Sequence, residues 1–519
     1  MSASNNKNLV LAAMVFAVAM TFIDQTIVAI AVPDLEQDLH LSGTGAQWII
    51  NGYLLSLAAL FAFGGKLGDV LGRRNMVVIG VIGFAAASAL CGLTPTTGIA
   101  EAWIVTFRVL QGVFAALMFP AAVGIVVASF PLRERGKALA IFFGISGGLT
   151  AIGPIAGGYL TEWTWRSIFW INIPVAIIAL ILIWRSKPDN VKHPGGLDYR
   201  GTVLVSAAMG LLVLGLQQSS VWGWDAVETW ACIVVGLLLG VAFVLWELRA
   251  DEPLLELRIF RDRGFAVENV VLATMSVVFV PFFFFASVYS QASLQQDASN
   301  AGYYIMYFFL GFVITSQIGG RILDQRGARP AVVLGGALSA VGFYLLAGQL
   351  TVEPLEIGNQ WPYLMLAGGG VGFLLGPAST DAVNRAPSTD YSQVTGITQT
   401  SRNFGASLGF AILGAVLVAQ NKIHVPEALT KTGVPRAEAD KIAGSLGAGS
   451  GGGASKASEQ QLDAVALAFA QSTQTVFYIM AGVMAVTFLI ALIWLPGGRV
   501  QSPEEREAEA AGPTDPAAA

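Results

Sequence analysis

The sequence predicts an all-α integral membrane protein of fourteen transmembrane helices, and three observations carry that prediction. Of the 519 residues, 55% are hydrophobic and only 12% charged, where soluble domains carry roughly 25% charged residues. The apolar residues are gathered in blocks of about 20, the length a helix needs to cross roughly 30 Å of hydrocarbon. Between two such blocks lies a tight, charged, glycine-rich turn, Gly64-Gly65-Lys66-Leu67-Gly68-Asp69-Val70-Leu71-Gly72-Arg73-Arg74. It returns in the second half as Gly320-Arg321-Ile322-Leu323-Asp324-Gln325-Arg326-Gly327-Ala328-Arg329. One hinge used twice implies a duplicated chain.

The blocks, separated by turn signals, place spans at roughly 9–32, 46–64, 75–93, 102–129, 138–160, 166–184, 201–219, 228–247, 265–289, 301–320, 331–350, 361–380, 395–420 and 473–495. Residues 1–32 imitate a signal peptide, but Asp24 inside the run and the many later spans favour an uncleaved first helix. An even number of spans puts both termini on one side. Arg108 falls inside a span, Arg166 borders an opposite-side turn, and Lys422, Lys431, Arg436, Lys441 and Lys456 fall in the loop before the last span. The other basic residues, Arg133, Arg135, Lys137, Arg185, Lys187, Arg258, Arg261 and Arg263 among them, are assigned to the side of the termini, which the positive-inside rule makes the cytoplasm.

The two copies of the turn set the organisation. With six spans per half the second copy would follow the eighth span; it follows the tenth. Two extra helices therefore sit between the halves. The predicted units are an N-terminal six-helix half at 1–195, two inserted helices with linkers at 196–252, and a C-terminal six-helix half at 253–499. The last includes an extracellular loop at 421–472, whose acids and bases balance and whose centre is nearly all Gly, Ala and Ser. A polar, Glu- and Ala-rich cytoplasmic tail, 500–519, reads as disordered.

Composition also excludes. The net charge of -5 is spread through loops and argues against nucleic acid. Cys91 and Cys232 lack metal-ligand or CxxC spacing and read as small buried hydrophobes. His40, His193 and His424 lie in separate loops and make no metal site. Gly368-Gly369-Gly370-Val371-Gly372 lacks the Lys-Ser/Thr ending of a phosphate loop and lies within the twelfth span. No cofactor and no enzyme chemistry are expected, so any work the protein does draws on an ion gradient. The expected partners are protons, a small molecule and the lipid bilayer, and the expected state is a monomer.

Asp24 is the strongest candidate for function. It lies roughly 13 Å inside the membrane, where a carboxylate is costly unless paired, hydrated or protonated. Arg108 lies roughly 9 Å deep in the fourth span, at a similar level, so the two are expected to sense each other directly or through water. The glycine turn suits gating. Gly65 and Gly68 allow close helix approach, while Asp69 can cap a helix or pair with Arg73 on its own turn. Gly153, Pro154, Gly157 and Gly158 make a bendable, close-packed fifth helix. Glu268, with Asn269, opens the ninth span and is a secondary proton or cation candidate, although snorkelling into water is the favoured reading. Glu101 and Glu162, at outer helix ends, read as solvated. Phe282 to Phe285 face all directions of a helix, so most must pack or meet lipid, with one or two free to line a cavity.

These fragments together resemble the major facilitator superfamily, specifically its fourteen-span drug:proton antiporter group. Asp24-Gln25-Thr26-Ile27-Val28 with Ala31-Val32-Pro33 is similar to that group's first-helix signature. The turn at 65–74, with Gly72, Arg73 and Arg74, resembles the family's loop between helices 2 and 3, and Asp324 and Arg329 belong to its echo. Arg108-Val109-Leu110-Gln111-Gly112 resembles the fourth-helix motif, Gly153-Pro154-Ile155-Ala156-Gly157-Gly158 the fifth-helix antiporter motif, and Trp165-Arg166-Ser167-Ile168-Phe169 with Ile171-Asn172-Ile173-Pro174 is also of this group. Leu149 departs from the antiporter motif, and Ala328 stands where the first copy of the turn has Arg73.

The resemblance implies a major facilitator fold and proton-driven export of lipophilic drugs or antibiotics, cationic ones included, across the cytoplasmic membrane by alternating access, with the site near the midplane between the halves. It implies proton coupling or substrate contact at Asp24 and Arg108, with Gln111 as a secondary candidate. Gating falls to Gly65, Gly68, Asp69, Gly72, Arg73, Arg74, Asp324 and Arg329. Export of lipids or of a secondary metabolite on the same fold is the alternative, and a membrane enzyme or sensor the remote one.

Overall fold

The computed structural model describes residues 3–130, 132–190, 192, 196–255, 257–351, 357–385, 391–437, 439 and 459–499. The centre of the expected 421–472 loop, the 500–519 tail and His193 lie outside the described residues. Among the described residues every regular element is helical: α1 (Ala3–Leu39), α2 (Gly43–Leu71), α3 (Arg73–Gly92), α4 (Ala100–Ser129), α5 (Leu132–Trp163), α6 (Ser167–Trp170), α7 (Asn172–Ser186), α8 (Tyr199–Trp222) and α9 (Val227–Glu247). After a short 3-10 turn follow α10 (Arg263–Ala292), α11 (Ala298–Arg326), α12 (Ala328–Gln349), α13 (Trp361–Asn384), α14 (Tyr391–Lys431) and α15 (Glu459–Trp494).

Twelve of these segments are long and apolar enough to cross a membrane, counting α6 with α7 as Ser167–Ser186. The helices α5 and α13, of 32 and 24 residues, complete the fourteen; each contains a proline, Pro154 and Pro377. Chain and packing describe a multi-pass membrane protein. The helices overrun the expected spans. The first has 37 residues and carries Pro33 within it, and α14 and α15 extend into both ends of the stretch expected as a loop. The sixth span is broken at Ile171 into α6 and α7, three residues before Pro174.

Local chemistry sets the ends. Side chains of Ser42, Asp198, Asp262 and Asp297 accept hydrogen bonds from the first-turn amides of α2, α8, α10 and α11, satisfying donors that have no partner within the helix. The two copies of the turn fold alike. Gly72 between α2 and α3 has φ +102°, and Gly327 between α11 and α12 has φ +85°, a region that glycine alone enters without strain. The membrane face that carries both glycines is called here the turn face, and the opposite one the far face.

Within each half the repeat brings equivalent pairs together. Gly64 on α2 abuts the Ala116 backbone of α4, and Gly311 on α11 abuts the Met365 backbone of α13. The C-terminal half is centred on aromatic rings. All four of Phe282 to Phe285 are buried. Phe282 stacks on Phe308 at 4.4 Å, Phe283 on Phe309 at 5.1 Å, and Phe284 meets Phe410 edge-on at 5.7 Å. Rings from α11, α12, α15 and α14 pack on them.

The inserted pair is asymmetric. Helix α8 packs on α2 and α14 and so touches both halves, while α9 packs on α8 and leaves Trp230, Leu237, Leu238 and Val241 exposed. The contact of α8 is polar and buried. Asn51 Nδ2 of α2 donates to Gln217 Oε1 of α8 at 2.5 Å, and Ser407 Oγ of α14 donates to Asn51 Oδ1.

Candidate functional site

Asp24 lies in the buried interior, 0% exposed, in the middle third of α1. Its carboxylate is held from α4. Arg108 Nη1 donates to Asp24 Oδ2 at 2.5 Å, and Gln111 Nε2 donates to Asp24 Oδ1 at 3.0 Å. The spacing of Arg108 and Gln111, one turn apart on a helix, places both on the face that meets α1. Arg108 Nη1 also donates to Gln111 Oε1 at 2.8 Å, closing a three-membered ring of bonds.

The second helix completes the setting. Arg108 Nε donates to the Ile49 carbonyl at 2.7 Å, and its guanidinium carbon lies 4.5 Å from the centre of the Tyr53 ring. One buried arginine thus joins α1, α2 and α4. Both its charge and its fork of donors are used, which is what allows a guanidinium to sit 0% exposed. The pair is in direct contact with no gap for water between its atoms, so any change of charge on Asp24 acts on three helices at once.

The antiporter-type helix is wedged beside this cluster. A Cβ at Gly153 would collide with Thr26, two residues from Asp24, and one at Gly157 would lie 3.0 Å from Ile27 Cγ1 and 3.1 Å from Ile27 O. The other side of α5 meets the second half. A Cβ at Gly158 would lie 2.6 Å from Ser299 Cα, and one at Gly302 would lie 2.5 Å from the Pro154 carbonyl oxygen. Tyr159 and Tyr303 share a hydrogen bond of 2.5 Å, and Gln291 Nε2 donates to the Ile30 carbonyl at 3.0 Å. In this structure the two halves are pressed together at the far face through α5 on α11 and α1 on α10.

The glycine turn is anchored, not free. Gly65 and Gly68 lie against Pro120 and Ala121 of α4, where a Cβ on either would be 3.4 Å away. Asp69 pairs with Arg73 at 2.8 Å, and Arg73 Nη1 donates to the Gly124 carbonyl at 3.1 Å, tying the turn to α4. Arg74 is half-buried and makes no ion pair among the described residues. Neither does Asp324, which is exposed, because Ala328 follows it where Arg73 follows Asp69. Arg329 instead donates to the Leu492 carbonyl at 2.9 Å. Asp69→Asn is expected to cost about 0.5–1.5 kcal/mol, the net value of an ordinary hydrogen bond, read as a lowered melting temperature of the purified protein.

Glu268 does not snorkel. It is 0% exposed, because α13 and α14 pack against α10. Glu101, expected to be solvated, accepts from Ser42 N at 3.0 Å and fastens the start of α2 to α4, while Glu162 is exposed. Arg402 corrects the charge assignment. Expected on the side of the termini with the other basic residues, it lies inside α14, its Nη1 donating to Gln399 Oε1 at 2.7 Å. Tyr53, Asp381 and Arg385 are the other site-forming residues that the sequence reading did not single out. For Arg402 the signal was a base in a polar stretch, Thr398 to Asn403, inside the expected span 395–420, and for Asp381 and Arg385 an i,i+4 opposite-charge pair just past the expected end of the twelfth span.

Residues 14–410 match the model of the Major Facilitator Superfamily. The chain belongs to this superfamily. The major facilitator protein is 34% identical over 82% of its length to the tetracenomycin C resistance and export protein of Streptomyces glaucescens, covering 79% of that protein. It is 28% identical over 92% of its length to the multidrug resistance protein Stp of Mycobacterium tuberculosis, covering 90% of that protein. Among solved structures, a bacterial homologue of the human lysosomal transporter Spinster superposes over 94% of this chain and 98% of the other with a TM-score of 0.63 at 17% identity, a likeness of fold. Two six-helix halves with two added helices make this a fourteen-helix variant of the major facilitator fold.

Proposed function

We propose that this major facilitator protein exports lipophilic drugs or antibiotics, cationic ones included, across the cytoplasmic membrane in exchange for protons, by alternating access. The observation that carries the reading is the buried Asp24–Arg108–Gln111 cluster, in a chain whose relatives are resistance and export proteins.

Asp24 is the proton site in this reading. With the carboxylate ionised, Arg108 is neutralised and α1 is held to α4. A proton arriving on Asp24 removes the charge that Arg108 answers, leaving a buried cation that must find new partners or water. That imbalance favours a change in how α1 and α4 meet, and α5, packed on α1 through Gly153 and Gly157, transmits the shift to the seal with α11. Opening at one face and closing at the other follow from one rigid movement of the halves about the site between them. The turn at Gly65–Arg74 and its echo with Asp324 and Arg329 set the balance at the cytoplasmic face.

Cells expressing the wild-type protein are expected to accumulate less tetracenomycin C, puromycin or ethidium than empty-vector cells. Collapse of the proton gradient should abolish the difference. Asp24→Asn, which keeps the shape but cannot exchange a proton, should behave like the empty vector while remaining at normal abundance in the membrane. Undiminished, gradient-dependent efflux by Asp24→Asn would remove Asp24 from the coupling role. Efflux that ignores the gradient would sink proton exchange altogether.

A further inference from the structure

A second buried carboxyl lies outside the Asp24 cluster, and it is unbalanced. Glu268 sits five residues into α10, roughly 8 Å from the turn-face end of that helix at 1.5 Å per residue. It is 0% exposed, and neither carboxyl oxygen has a hydrogen-bond partner. The charged groups that act on it are Asp381 and Arg385, both from the end of α13. Arg385 is already occupied: its Nε donates to Asp381 Oδ2 at 2.7 Å, and its Nη1 lies 3.5 Å from Asp262 Oδ1. Gly264 permits this approach, since any Cβ there would strike the guanidinium. Asp262 is half in solvent, caps α10 by accepting from Phe265 N at 2.7 Å, and does not depend on Arg385. From α14, Arg402 turns to Gln399 and not to a carboxylate.

Among the described residues, the buried part of the cluster is therefore two carboxyls, Glu268 and Asp381, against one guanidinium. Were both ionised, one buried negative charge would stand uncompensated, which the desolvation of both carboxyls opposes. A proton on Glu268 removes that charge and supplies the O–H that the neighbouring Asp381 carboxylate can accept.

We propose that Glu268 and Asp381 form a second proton-carrying site in the C-terminal half, with Glu268 as the carrier, Asp381 as its hydrogen-bond acceptor and Arg385 as the ion-pair partner that positions Asp381. The proposal rests on the proton-exchange reading above and adds one proton to each cycle. Separation of α10 from α13 opens the pair to water at the turn face, where Glu268 can release or take up its proton.

The test reads the proton directly. Infrared spectra of the purified full-length protein in lipid, in an Asp24→Asn background at neutral pH, should contain the C=O stretch of a protonated carboxylic acid that shifts in D2O and disappears on Glu268→Gln. Should Glu268→Gln not fold, Asp381→Asn should shift the same band by changing its acceptor. A spectrum without a Glu268-dependent acid band, or a band indifferent to Asp381→Asn, overturns the site; a metal cation as the balancing charge would give the first of these results. In proteoliposomes carrying the native Asp24, the ratio of protons to ethidium exchanged should fall by one in Glu268→Gln, and an unchanged ratio also overturns it. If the wild-type protein moves no ethidium, the export reading fails for that cargo while the infrared band still decides the site.

Discussion

Arg108→Ala is expected to destabilise the folded protein by about 3–5 kcal/mol, the range for removing one partner of a buried ion pair. The loss comes from what remains behind. Asp24 would stay 0% exposed with the Gln111 amide as its remaining donor, the Ile49 carbonyl would lose its donor, and the Tyr53 ring its cation. Asp24→Asn should cost less, because the carboxamide oxygen still accepts from Arg108 and the arginine keeps the Ile49 carbonyl. The double variant Asp24→Asn, Arg108→Gln should recover much of the Arg108→Ala loss, since no unpaired charge is left inside. Acid should narrow the gap between wild type and Arg108→Ala, because protonating Asp24 removes the orphaned charge in the variant and the attraction in the wild type. Melting followed by tryptophan fluorescence in detergent would decide. Wild-type melting of Arg108→Ala, or a double variant no better than the single, would mean that the pair is not what holds α1, α2 and α4 together.

The span count and the duplicated turn were legible because both rest on local chemistry. Blocks of apolar residues record the thickness of the bilayer, and a positive-φ glycine between charged helix ends appears as Gly72 and again as Gly327. Asp24 and Arg108 could be placed at similar depth from helical rise alone. That they touch, and that Gln111 and Tyr53 complete the cluster, depends on how α1, α2 and α4 rotate about their axes, which spacing within one helix does not record. Glu268 illustrates the limit from the other side. Its distance from the helix end suggested an escape to water, but burial there is decided by α13 and α14, more than a hundred residues away in sequence. For the Phe282–Phe285 run the sequence left packing and lipid both open, since a run that faces every direction meets lipid only where a neighbour is lacking; the four rings pack against aromatic rings of α11, α12, α14 and α15.

Gly158→Leu is expected to shift the balance between far-face-closed and far-face-open states by about 1–3 kcal/mol toward the open one, roughly a 5–150-fold change in their ratio. The collision is with main chain: a Cβ there would lie 2.6 Å from Ser299 Cα and 2.8 Å from the Ala298 carbonyl oxygen. No rotamer change relieves it, so α5 and α11 must part, and the Tyr159–Tyr303 hydrogen bond parts with them. Gly98→Leu is the control, since Gly98 has no atom within 4 Å of a would-be Cβ. Spin labels on the far-face ends of α5 and α11 should report a longer distance in Gly158→Leu and an unchanged one in Gly98→Leu, and gradient-driven efflux should fall only in the former. Unaltered label distances in Gly158→Leu would show that α5 does not hold the seal. A widened distance with efflux intact would show that the seal can open without cost to transport, which would break the link argued between α5 and the proton site. That link is short: Gly153 meets Thr26 two residues from Asp24, and Gly158 meets α11 little more than one turn further along the same helix. A proton that loosens α1 therefore reaches the seal through one helix whose two glycine faces leave no slack to absorb the movement.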